Sequence, residues 1–244
     1  MGDDYDNLRH CKHVRHHPLR RAMTRTPLDI YREYRIYRGL QDHQLRVAAV
    51  GKYIDDRSHT RVDTRLIILA GLFHDMGNII KARLHQPSPL IEPEGLEHWQ
   101  QVKKEFHEKY GDNEHDATRE ICRDIGLPEE VVQLIDDMGF SKMERTLESG
   151  SPDLKVVEYA DMRVAPYGVL SLDERQREAR ERYADRDSAT HKHAFGDVER
   201  YEYLLGKTHE LETNLMVSAD FQPEEITDAS VVHIIEELKG FPVS

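Results

Sequence analysis

Cysteine is nearly missing from this chain: Cys11 and Cys122 are the two it has in 244 residues. That excludes a disulfide framework, and without a Cys-x-x-Cys pair there is no basis for dithiol redox or zinc-ribbon chemistry. A reducing cytoplasm fits. Long apolar runs are missing too. No stretch reaches the roughly 18 apolar residues of a membrane span, and the first 26 residues carry Arg, His and Asp where a secretory leader has its apolar centre. Neither secretion nor a membrane partner is expected. Positive charge is in deficit, with 34 Lys and Arg against 46 Asp and Glu, a formal net charge of −12. Such a surface repels phosphate backbones, so nucleic acid is not an expected partner and any phosphate-bearing ligand has to be held locally. The chain also lacks Gly-x-x-x-x-Gly-Lys, Gly-x-Gly-x-x-Gly, His-Glu-x-x-His and Gly-x-Ser-x-Gly, which removes support for those nucleotide-loop, zinc-protease and serine-hydrolase chemistries.

What the chain does have is enough apolar material for a core. Leu, Ile, Val and Phe make about a quarter of it, above the roughly 20% below which disorder becomes the default, and its length predicts one domain, at most two. Residues 1–26 show no apolar periodicity and read as a flexible extension; its histidines, His10, His13, His16 and His17, are compositional evidence alone. From Thr26 the pattern turns helical, with Thr26 as N-cap and Pro27 at the first helical position. A second helix around 41–55 places His43, Val47, Val50 and Ile54 on one face at three- and four-residue spacing, which turns His43 inward. Asp63 caps a third helix whose run from Leu66 to Phe73 is apolar all round, as in a buried helix, and which ends in His74, Asp75, Met76, Gly77.

After a proline-bearing loop at 86–93, helical patterns resume near 94–110, 114–125 and 128–137. A helix over 152–165 puts Leu154, Val157, Asp161 and Val164 on one face, so Asp161 also points inward. Further helices are expected near 172–183, 198–217 and 223–239, with a polar loop near 184–196 between the first two. No strand and no internal repeat is expected. The fold class is all-α: a helical core over 27–165, with the helices of 166–244 packed on it.

Three separate helices thus direct metal-capable groups inward: His43, the adjacent His74 and Asp75, and Asp161. A single inward histidine on an apolar face is ordinarily a hydrogen-bonded core residue. Carboxylates on otherwise apolar helices are costly to bury without a partner, however, and together the four form a mixed nitrogen and oxygen set suited to one divalent ion. The chemistry does not distinguish Mn, Fe, Co, Ni, Mg or Zn.

The words "DHQLRVA", "AGLFHDMGNI" and "VVEYADMRV" carry these residues in the order His, His-Asp, Asp. The pair follows the first histidine by about 30 residues and precedes the last aspartate by about 86. In this the sequence, over residues 38–165, resembles the HD superfamily of metal-dependent phosphohydrolases. The resemblance implies an HD-type helical bundle, a divalent ion at His43, His74, Asp75 and Asp161, and hydrolysis of a small phosphorylated substrate, commonly a nucleotide. Asp75 would serve as ligand and as orienter of the attacking water. Many such sequences continue the His-Asp-x-Gly word with Lys; here Asn78 follows Gly77, and the nearest lysine is Lys81.

Lys81, a turn beyond Gly77 if the helix continued, and Arg46, a turn after His43, are the candidate phosphate-binding groups, with Arg163 behind them. Some family members hold a second ion through extra histidines; His98, His107 and His115 are the candidates, His115 the best placed, and one ion is the expectation. Two alternatives stand beside a phosphomonoesterase: a two-metal phosphodiesterase, and a catalytically silent module that binds a nucleotide or partner for regulation. A homo-oligomer is compatible with the Leu-rich C-terminal helices, which core packing explains equally well.

Overall fold

The computed structural model describes residues 24–84, 88–183 and 198–243. Most of the expected N-terminal extension, with its four histidines, and the polar loop near 184–196 lie outside the described residues. Helix α1 (Pro27–Glu33) starts as its sequence dictates. The Thr26 hydroxyl accepts from the Asp29 backbone N–H while the Asp29 carboxylate accepts from the Thr26 N–H, closing a capping box ahead of Pro27. Helix α2 (Arg38–Asp55) begins ahead of the expected Gln41, because its first turn buries Gly39 and Leu40. Asp63 caps α3 (Thr64–Phe73), in which every residue from Ile67 to Phe73 is buried. Each large apolar side chain there contributes roughly 1.5–3 kcal/mol.

Helices α2 and α3 form the centre of the molecule and cross at close range. A Cβ placed on Gly71 would stand 2.7 Å from the Ala48 Cα, so only glycine lets the two backbones approach this closely. Around them lie α4 (Gly95–Tyr110), α5 (Glu114–Ile125), α6 (Glu129–Asp137), the short α7 (Met143–Glu148) and α8 (Pro152–Met162). The expected helix over 152–165 stops at Met162. Val164–Ala165 and Gly168–Val169 instead pair as a two-residue antiparallel hairpin, β1 and β2, turning at Pro166 and Tyr167. Strands this short leave no alternation to read. Helices α9 (Leu172–Tyr183), α10 (Val198–Met216) and α11 (Asp228–Leu238) complete the chain. The expected 223–239 helix is divided, because Thr227 takes up a capping box with Ser230 and restarts the helix there.

The C-terminal helices close over the central pair: α11 packs on α2, and α10 on α7 and α8. One arginine ties them together. Arg163, 2% exposed, donates from Nε to the Leu170 carbonyl, from Nη1 to the Tyr159 hydroxyl at 2.6 Å, and from Nη2 to the carbonyls of Pro223 and Ile226. Tyr159 in turn donates to Glu212 on α10 at 2.6 Å. All three guanidinium nitrogens donate to protein, so Arg163 fixes the end of α8, and with it Asp161, in place of the phosphate contact considered for it.

Candidate metal centre

The site begins at a helix end. The last carbonyls of a helix have no partner within it, and at the end of α3 three side chains supply donors. Tyr31 donates its hydroxyl to the Leu72 carbonyl at 2.7 Å, the Cys122 thiol reaches the Phe73 carbonyl at 3.6 Å, and His74 Nδ1 stands 3.0 Å from the Gly71 carbonyl. That last contact places the proton of His74 on Nδ1 and leaves the Nε2 lone pair facing the other way, as a metal ligand requires.

Facing that Nε2 are the other groups named from the sequence. His43 Nε2 is 3.3 Å from His74 Nε2. Asp161 Oδ1 lies 3.2 Å from His43 Nε2 and 3.5 Å from His74 Nε2. Asp75 Oδ2 lies 3.9 and 3.7 Å from the same two nitrogens. His43, His74 and Asp75 alone form a group whose ligand atoms all fall within 4.8 Å of one another, and Asp161 joins it through both imidazoles. Side-chain exposures of 14% for His43, 22% for Asp75 and 18% for Asp161 against 6% for His74 show a centre walled on the His74 side and open on another. A mixed set of two imidazoles and two carboxylates with an open face could hold a divalent ion and still admit a small molecule.

The electrostatics favour a cation at this point. Burial works against a charged His74, yet the carboxylates of Asp75 and Asp161 outweigh it and raise the ring to about 9. Burial likewise works against a charged Asp161, and the hydrogen bonds and charge of His43 and His74 hold it well below the usual carboxylate range instead. Asp75 is lowered in the same way, with Lys81 adding to the effect of His74. Two carboxylates that stay ionised at one point make a field that a divalent cation satisfies directly.

The turn bearing the pair is locked on both sides. Gln44, fully buried next to His43, accepts the Asp75 backbone N–H at 3.2 Å. Gly77 donates its N–H to the Thr118 hydroxyl at 2.9 Å, and a Cβ at this position would come within 2.3 Å of the Glu114 carbonyl. Asn78 donates its side-chain N–H to Asp75 Oδ2. Gly77 and Asn78 entered from the sequence only as part of the His-Asp-x-Gly word, and Gln44 had no role there; its place immediately after His43 is the signal that could have found it.

The remaining candidates divide. Arg46, one turn along α2 from His43, pairs through Nε with Asp228 at 3.4 Å, and its buried Nη1 has no hydrogen-bond partner among the described residues. Helix α3 does not continue past His74; a single 3₁₀ turn follows (Asn78–Ile80). Lys81, at the end of that turn, pairs with Glu114 at 3.4 Å. His115 side chain is 55% exposed and lies 3.6 Å from Glu114, outside the group of donors. His98 packs edge-on to Trp99, and His107 pairs with Asp112 at 2.8 Å.

A residue missed altogether is Glu158, fully buried one turn before Asp161 on α8. Its Oε2 accepts the Gly139 N–H at 2.6 Å, and its Oε1 has no hydrogen-bond partner among the described residues. Burial first, and the Asp161 carboxylate second, push it up to about 7.

This arrangement, two histidines and two aspartates gathered at the end of a buried helix in an all-α fold, agrees with a family model that matches the chain. It is described as HD domain and aligns with residues 40–186. The chain belongs to the HD domain family. No curated protein and no solved structure gave a match. Among the described residues, no helix is long and apolar enough to cross a membrane.

Proposed function

We propose that this chain is a metal-dependent phosphohydrolase that releases phosphate from a monoester of a nucleotide or a similar small phosphorylated molecule. The observation that carries the reading is the convergence of His43, His74, Asp75 and Asp161 around one point with an open face. When bound there, a divalent ion supplies Lewis acidity, acidifying water and offsetting charge that develops on the phosphoryl group. The chain's own residues supply position. His74 holds the closed side of the centre, His43 and Asp161 flank it, and Asp75, fixed by Asn78 and Gln44, presents a carboxylate that orients the attacking water. Arg46, one turn along α2 from His43 and paired through Nε with Asp228, is the guanidinium this reading assigns to the phosphoryl group, since guanidinium–phosphate contacts are strong and directional. Lys81 adds positive charge on the Asp75 side. His43, His74 and Asp75 are the sole cluster of possible ligands among the described residues, which favours one ion over the two of a phosphodiesterase.

The test is phosphate release from a panel of nucleoside monophosphates and other phosphate esters, with Mn, Co, Ni, Fe, Mg or Zn supplied in turn. Release with at least one metal, lost in both His74→Ala and Asp75→Ala, is the expected result. Failure of every ester with every metal overturns the reading.

A further inference from the structure

A second concavity lies at the far end of the two helices that carry the metal centre. Helix α3 leads into His74 at its end and carries Leu66 in its first turn; α8 carries Asp161 near its end and Leu154 in its first turn. Where those two helices start, they form with α6 a groove of about 600 Å³. Leu66, Leu134 and Leu154 give it apolar wall, and Glu129, Glu130 and Asp137, all on α6, give it charge. None of the described residues that line it is Lys, Arg or His. Glu129 and Asp137 reach outward to Arg123 and Arg145, which are themselves exposed, and ion pairs of that kind contribute roughly 0–1 kcal/mol. Glu130 forms no ion pair among the described residues.

The chain enters the fold at the mouth of this groove. The Arg25 side chain donates to the carbonyl of Ile125, the last residue of α5 and four before Glu129. The Arg25 carbonyl accepts the Val243 N–H at 3.0 Å, and Arg65, next to Leu66, donates to the carbonyls of Pro242 and Val243 at 2.9 Å. Residue 25 is thus tied to the starts of α3 and α6, which carry Leu66 and Glu129. The sequence ahead of it complements the groove. Residues 8–21 hold five Lys and Arg, four His and no Asp or Glu, with Leu8, Val14 and Leu19 spaced among them. At roughly 3.3 Å per residue, the step from Arg25 back to Arg21 covers up to about 13 Å, and the basic stretch begins there.

We propose that residues 8–21 dock in this groove of their own chain, their Lys and Arg side chains on Glu129, Glu130 and Asp137 and their apolar side chains against Leu66, Leu134 and Leu154. Attachment favours this occupant over a separate peptide, because a segment joined by a short linker is present at millimolar effective concentration, enough for several weak exposed contacts to hold it. The proposal is independent of the phosphohydrolase reading, since the groove and the metal centre lie at opposite ends of α3 and α8.

The test uses the full chain and two measurements. Lys12 is the one lysine in residues 1–21, so a zero-length carbodiimide cross-link followed by mass spectrometry reads where it sits. Cross-links from Lys12 to Glu129, Glu130 or Asp137 within one chain are expected. Cross-links to other carboxylates only, or links that form only between isotopically distinct chains, overturn the proposal; the second result would assign the groove to the arm of another copy. Cys122 is fully buried, so a thiol-reactive spin label attaches at Cys11. Its spectrum is expected to show a slow-moving population in the wild type. Charge reversal in Glu129→Lys, Glu130→Lys lowers the ratio of slow to fast label by about tenfold, the effect of roughly 1.4 kcal/mol lost over a few exposed pairs. Glu108→Lys, outside the groove, leaves the ratio unchanged. A wild-type spectrum with fast motion alone, or the same ratio in the double variant as in the wild type, overturns the proposal. Should the double variant fail to fold, the wild-type cross-links still decide it.

Discussion

Asn78 donates its side-chain N–H to Oδ2 of Asp75, the same oxygen that faces His43 and His74. A partner in this position fixes the rotamer of a ligating carboxylate, and its loss typically lowers metal affinity by roughly ten- to a hundredfold. Asn78→Ala is therefore expected to weaken manganese binding by about tenfold in calorimetry while melting close to the wild type. Equal affinity would show that Gln44 and the backbone suffice to hold Asp75.

Metal binding carries a pH dependence with a definite sign. His74 sits at about 9, held up by Asp75 and Asp161 against the effect of burial, and a ligating imidazole has to give up its proton. Below about pH 9 the cation competes with that proton, so affinity for manganese falls as pH drops, by up to about tenfold per unit for the one proton. Calorimetry in buffers of different ionisation enthalpy reads the released proton directly. Affinity that is flat between pH 6 and 8.5, with no proton released, would contradict this account of the site.

Glu158 gives a second pH prediction, this one for stability. Its proton is held more tightly in the fold, at about 7 against an ordinary 4.5. The stability it confers is thus fully present below pH 4.5 and lost as pH rises through 7. Glu158→Gln escapes that loss. In urea denaturation of the metal-free protein it should exceed the wild type by roughly 1–3 kcal/mol at pH 8, and the gap should narrow toward pH 5. A gap independent of pH would mean that Glu158 does not change protonation on folding.

Arg163 is expected to matter for folding rather than for phosphate. Arg163→Met takes the side-chain donor away from the carbonyls of Leu170, Pro223 and Ile226 and leaves the Tyr159 hydroxyl with Glu212 alone, a loss of about 3 kcal/mol or more. The urea midpoint should fall by the corresponding amount. Phosphate affinity of the protein that remains folded should stay near the wild-type value, and a selective loss of phosphate binding at unchanged stability would reverse the assignment.

How far the sequence carried the reading follows from the range of the forces involved. The cap at Thr26, the buried α3 and the inward turn of His43 and Asp161 are local matters of periodicity and capping, and they were legible. Length limits defeated the rest. A two-residue hairpin after Arg163 has no alternation, and α7, with six residues, has too few positions to show a period. Lys81 was placed by assuming that α3 ran on, whereas the chain turns through a 3₁₀ turn there because Gly77 packs directly on α5. Glu158 escaped notice because a glutamate on a helix reads as surface. Its burial depends on Gly139, a residue far along the chain whose partner no local pattern announces.

The most direct measurement is anomalous diffraction from crystals grown with manganese. A single anomalous peak per chain is predicted, within bonding distance of His43 Nε2, His74 Nε2, Asp75 and Asp161. A peak elsewhere, or none at this point in protein shown by elemental analysis to contain the metal, would contradict the account.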